Sequence, residues 1–199
     1  MKKESAAAYN GLLERTWRAS GGDWDAFQDT FTETLSKEPK ESIVEFWKLH
    51  RKRVSMLFCD AIYHGGYLML GSVMGNDGFM EFADKIAVLP LAAVEKVVSD
   101  PDSMVDYPIL EKLTEQTFES IFLDVYDEKM GADDGEFLLY EAPNARNVIR
   151  ADWKAIGRID LEKQLGLDRI RAKYEKSGGR EGARHRRENI AEPGFVLFA

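Results

Sequence analysis

Apolar residues recur along the chain at gaps of three and four, with short polar interruptions. In DWDAFQDTFTETLSKEP, Trp24, Phe27, Phe31 and Leu35 fall on one face of a helix. Asp23 is placed to cap its start, and Pro39 follows its end. A longer pattern runs through Ile43, Phe46, Trp47, His50, Val54, Leu57, Phe58 and Ala61. Its opposite face holds Lys48, Arg51, Lys52 and Arg53, which a helix would turn towards water. HGGYLMLGSVMG, from His64 to Gly75, has little polar face and predicts the most buried helix, its glycines allowing neighbours to approach closely. A buried strand remains the alternative there, because periodicity does not separate short apolar runs.

The run breaks at Gly75-Asn76-Asp77-Gly78, and Phe79, Phe82, Ala83, Ile86 and Leu89 then return to helical spacing. Pro90 interrupts, and LAAVEKVVSD supplies a short helix that ends before Pro101. DPDSMVDYP is rich in turn formers and predicts a loop. Pro108 suits the first position of a helix carrying Leu110, Leu113, Thr117, Ile121 and Val125, with Gly131 as its stop. A turn and a short strand element near Phe137–Tyr140 follow, then a helical region from about Asn144 to Lys176 that bends at Gly166.

These elements predict an all-α protein, with residues 1–176 forming a single helical bundle-like domain of about six to eight helices. The expected core includes Trp24, Phe31, Phe46, Trp47, Phe58, Leu68, Phe79, Phe82, Leu113, Ile121 and Val125. From Ser177 the composition turns polar, glycine-rich and basic, predicting a flexible tail over 177–199 that ends in the apolar GFVLFA.

Composition narrows the class. The 199 residues are 44% hydrophobic, as expected of a soluble globular chain, and no apolar run approaches the roughly 18–20 residues that span a bilayer. The first residues, MKKESAAAYNGLLERTW, lack the apolar segment of a signal peptide. One cysteine, Cys59, precludes an internal disulfide and fits a reducing cytoplasm. The net charge of −8 speaks against nucleic acid as the main partner of the whole chain. The charge is uneven: 16 Lys and Arg face 27 Asp and Glu up to residue 150, against 11 and 8 beyond it. An acidic body of this kind suits a partner protein with a basic surface.

GNDGFMEFADKIAVLPLAAVEKVVSDPDSM resembles the hallmark of the bacterial family catalogued as domain of unknown function 4240. In that family a Ser-Asp-Asp-Gly-Phe corner precedes a helix and an Asp-Pro-Asp-Ser-Leu loop. EQTFESIFLDVYDEKMG resembles the family's closing helix, and the likeness covers roughly residues 36–137. Gly75 and Asn76 depart from the family's corner, while Ala83 and Lys85 stand where it usually has arginine and tryptophan. The resemblance implies a helical fold and no established activity.

The Gly-Asn-Asp-Gly corner has two readings. Asp77 can cap a helix starting near Gly78, or Asn76 and Asp77 can bind a cation or a polar substrate, with His64 as a further candidate. The capping reading needs only one short acidic residue and is favoured. Cys59 lies on an apolar face and reads as core. Three scattered histidines without cysteine partners give no zinc spacing. The acidic turn at Asp127–Glu136 lacks the ladder of a calcium loop, and SGGREG lacks the Gly-Lys-Ser/Thr of a phosphate loop. No catalytic residue, metal site or cofactor is assigned. Arg180, Arg184, Arg186 and Arg187, with His185, form a basic cluster for phosphates or an acidic surface, which reads first as tail solvation or self-docking. Two functions follow: a non-catalytic protein-binding or regulatory module or, as the alternative, a hydrolase or transferase using Asp77 with a metal or His64.

Overall fold

The computed structural model describes residues 3–70, 76–111, 117–130 and 166–174. Among these the chain is all-α. The α-helices are α1 (Lys3–Ser20), α2 (Trp24–Ser36), α3 (Lys40–Met56), α4 (Asp60–Leu70), α5 (Asn76–Ala87), α6 (Leu91–Ser99), α7 (Phe118–Met130) and α8 (Asp168–Tyr174). Two 3₁₀ helices, Pro101–Asp106 and Pro108–Glu111, follow α6. No described helix is long and apolar enough to cross a membrane. The predicted strand near 137–140, the tail from 177 and Leu113 lie outside the described residues.

Local chemistry sets most boundaries. Gly21 and Gly22 end α1 in the left-handed region, at φ 60° and 87°, where a Cβ would be strained. Asp23 then caps α2 as predicted, its carboxylate accepting from the Ala26 N–H at 2.8 Å. Pro39 and Pro90 stand immediately before α3 and α6.

Two apolar clusters form the core. One joins α1, α2, α3 and α7 through Tyr9, Leu13, Phe27, Phe31, Trp47 and Phe122. The other joins α4, α5, α6, α8 and the 3₁₀ segments through Phe58, Ile62, Phe79, Phe82, Met104 and Ile170. Trp17 touches both, and its indole N–H donates to the Val88 carbonyl at 2.7 Å.

Several expectations are corrected. The helix α1 was not foreseen, although Tyr9, Leu12, Leu13, Thr16 and Ser20 repeat at helical spacing and are buried. The long pattern from Ile43 to Ala61 is two helices, because the chain turns at Leu57–Cys59, with the Cys59 N–H donating to the Leu57 carbonyl. The turn buries the adjacent Leu57 and Phe58 together and re-aims α4, so His64 lies mid-helix. DPDSMVDYP is largely helical rather than open loop, and it buries Asp102, Ser103 and Met104. The stripe predicted from Pro108 is a 3₁₀ helix and then α7, which starts only at Phe118. Trp24 and Leu68 are partly rather than fully buried. Arg53, expected in water, is buried because it has acceptors there, as the next subsection details.

Candidate functional site

Asn76 opens α5, so Asp77 lies within the first helical turn instead of preceding a helix that starts at Gly78. The side chains of Asn76 and Asp77, like Arg180, Arg184, Arg186 and Arg187, lie outside the described residues. The Asp127–Glu136 turn is described only up to Met130. Cys59 is half-buried and packs beside the second cluster. Among the described residues, no group of three or more His, Cys, Asp and Glu is arranged to hold a metal ion.

The polar groups that do converge are ones the helical pattern concealed. Asp84 projects from α5 and accepts two bonds: from His50 Nε2 at 2.5 Å and from the Phe118 backbone N–H. His50 Nδ1 meets the Tyr9 hydroxyl at 3.1 Å. With Nε2 donating to Asp84, Nδ1 is left to accept from the Tyr9 hydroxyl. Burial raises Tyr9 well above the ordinary phenol range, which keeps that donor protonated. Four helices, α1, α3, α5 and α7, are thereby tied through one chain of hydrogen bonds.

Arg53 seals the neighbouring end. Its guanidinium donates to the Ala87 and Leu89 carbonyls at 2.9 and 3.2 Å and to Asn10 Oδ1 at 2.5 Å. It also lies over the Tyr9 ring, 5.2 Å from the centroid. Ala87 is the last residue of α5 and Leu89 lies just beyond it, so the cation satisfies carbonyls at and past the helix C-terminus. Lys85 is likewise buried, its ammonium 5.0 Å from the centre of the Trp24 ring.

The order tyrosine–histidine–aspartate has the form of a nucleophile–base–orienter set. Its burial excludes that use: His50 is 0% and Tyr9 1% exposed. Beside Asp84 a recess of about 30 Å³ is lined by Arg51, Val54, Met80, Thr117 and Glu119. Ligand pockets measure about 300–1,000 Å³, so this recess suits water rather than a substrate. Arg51 and Glu119 pair across its rim.

A second polar group surrounds Asp102 in the Pro101–Asp106 helix. Its carboxylate accepts the Arg169 and Ile170 backbone N–H groups at 2.8 and 2.9 Å, capping α8 from another element. Asp106 pairs with both Arg169 and Lys96, which pull it down to about 2. Glu111 accepts from Lys173 at 2.8 Å and from the Tyr174 hydroxyl at 2.6 Å. The sequence held a faint signal for Asp102, an acidic residue after a proline, but no pattern could link it to residues 67 and 68 positions away.

His64, the histidine singled out from sequence, borders this second group. It is 8% exposed, and its Nε2 has no hydrogen-bond partner among the described residues. Burial first, and then the nearby Arg171, hold it below its ordinary 6.5. A lowered histidine binds its proton more readily in the unfolded chain, so stability is lost as pH falls through 6.5. Thermal melts from about pH 7.5 to about 5.5 should show that loss, and His64→Gln should flatten it. Equal slopes for the two proteins would remove His64 as the source.

The family described as "Protein of unknown function (DUF4240)" matches residues 7–128. The match spans α1 to α7 and so reaches further towards the amino terminus than the quoted motifs. No curated protein and no solved structure matches the chain. With well over half its length matched by the family, the chain belongs to DUF4240.

Proposed function

We propose that the protein is a non-catalytic protein-binding or regulatory module of the cytoplasm, whose partner offers a basic surface. The observation that carries this reading is the acidic edge of Asp106 and Glu111 beside the buried Asp102, which already holds Arg169, Lys173 and two helix N–H groups. The acidic body supports it, because long-range charge steers association with an oppositely charged partner. The enclosure of Tyr9, His50 and Asp84 supports a role in holding helices together.

Affinity capture from lysate, with the full chain and Asp77→Ala at matched folded fraction, tests the reading. A specific partner should be retained by the full chain and released as salt is raised. Retention by Asp77→Ala leaves the Asn-Asp-Gly corner a helix start, whereas loss makes it the recognition site. A module reading does not survive if nothing is held beyond an unrelated protein of equal net charge.

A further inference from the structure

We propose that α4 and the Pro101–Asp106 helix form a docking groove for a short basic helix of a partner protein, which α8 of the same chain fills in the partner's absence. This rests on the binding-module reading and names its site and partner class.

The groove is built for a helix. Gly65 forms its floor: a Cβ there would stand 2.2 Å from the Met104 methyl, 3.3 Å from Ile170 Cδ1 and 3.7 Å from Leu167 Cδ2. The missing side chain makes room for the Met104 methyl and for Ile170, which with Leu167 is buried there, at 0% and 2% exposure. Asp102 supplies both carboxylate oxygens to the first free N–H groups of the incoming helix, which any helix offers whatever its side chains. Specificity then comes from two apolar anchors spaced by three residues and from basic positions that meet Asp106 and Glu111.

Two observations mark α8 as exchangeable. Its ion pairs are exposed, Arg169 by 51% and Lys173 by 43%, a class of contact that contributes little and is screened by salt. It is also an imperfect complement, because among the described residues it leaves His64 Nε2 without a hydrogen-bond partner and brings the cationic Arg171 near that ring. A partner helix with an acceptor at the Arg171 position would satisfy the imidazole. The family match ends at residue 128, so it includes both walls of the groove and excludes α8.

The test uses the full chain and a fluorescent peptide of residues 166–174, acetylated and amidated. Ile170→Asp places a charge in the buried anchor position and ejects α8 from the groove. The peptide should bind this variant at least tenfold more tightly than it binds the unaltered chain, whose own α8 competes. Adding Asp102→Ala should weaken that binding by tenfold or more. The groove is overturned if millimolar peptide fails to bind Ile170→Asp, or binds the unaltered chain and the double variant equally well. Loss of helical circular dichroism throughout Ile170→Asp also overturns it, since an exchangeable occupant cannot be indispensable. Hydrogen exchange on the unaltered chain gives an independent reading: α8 amides should exchange through local opening well ahead of α3 and α5. Exchange of α8 only with global unfolding overturns the proposal. Either failure leaves lysate capture intact as the separate measure of whether the protein is a binding module.

Discussion

Asp84→Ala should destabilise the protein by about 2–6 kcal/mol, because it leaves two buried donors unpaired at about 1–3 kcal/mol each. The carboxylate accepts from both His50 Nε2 and the Phe118 N–H, so its loss strands two buried donors. His50 would lose the group that fixes its tautomer, and Tyr9 would then face a ring free to reorient. The damage should therefore spread to α1 and α7 rather than stay on α5. Urea denaturation followed by circular dichroism measures the total, and tryptophan fluorescence reports on Trp17 and Trp24 near α1 and α7. Asp84→Asn keeps an acceptor for one donor and should cost less than Asp84→Ala. A change below about 1 kcal/mol for Asp84→Ala would mean that the stranded donors find water, and the buried tie between helices would have to be abandoned.

Phe79→Ala should cost about 3–5 kcal/mol through lost apolar burial and the cavity left behind. Phe79 is 0% exposed and meets Phe58 and Tyr63 edge-on, with centroids 5.1 and 5.2 Å away. It sits in the first turn of α5, so it fastens the helix start after the corner to the turn at Leu57–Cys59 and to α4. Its contacts are distinct from those of Asp84, which lies at the other end of α5 against α3 and α7. Phe79→Leu, retaining much of the volume, should cost clearly less. Equal losses for both variants would point to the ring contacts rather than the cavity; a loss below about 1 kcal/mol for Phe79→Ala would show that the site collapses around the gap.

These two residues differ in how far sequence reveals them. Phe79 belongs to a run of apolar residues at gaps of three and four, and its place in the core follows from that spacing. Phe31, Phe46, Trp47, Phe82, Ile121 and Val125 were legible in the same way and are buried. Asp84 occupies the same helix and looked like an ordinary polar residue, because nothing local says that His50, 34 positions earlier, will come to it. Arg53 was misplaced for the same reason. A cation next to Lys52 and Arg51 is turned to water by any helical wheel, and only the nearby α5 carbonyls and Asn10 make its burial tolerable.

The candidate groove divides along the same line. The Asp-Pro-Asp-Ser stretch was visible as a motif and as part of a family resemblance that the match over residues 7–128 bears out. Its role as a cap for α8 was not visible, since capping was sought among the residues adjoining each helix. The break at Leu57–Cys59 has neither glycine nor proline to mark it in the sequence, and both Leu57 and Phe58 are buried at the turn.

By itself the sequence determined that this protein is helical, where most of its helices lie and which face of each is apolar, because those properties depend on periodicity and on capping by neighbours within a few residues. Only the tertiary structure decided which polar side chains are buried and what they hold. Burial of a charge is permitted by a partner, and here the partners Asp84–His50, Arg53–Ala87 and Asp102–Ile170 are separated by 34 to 68 positions along the chain.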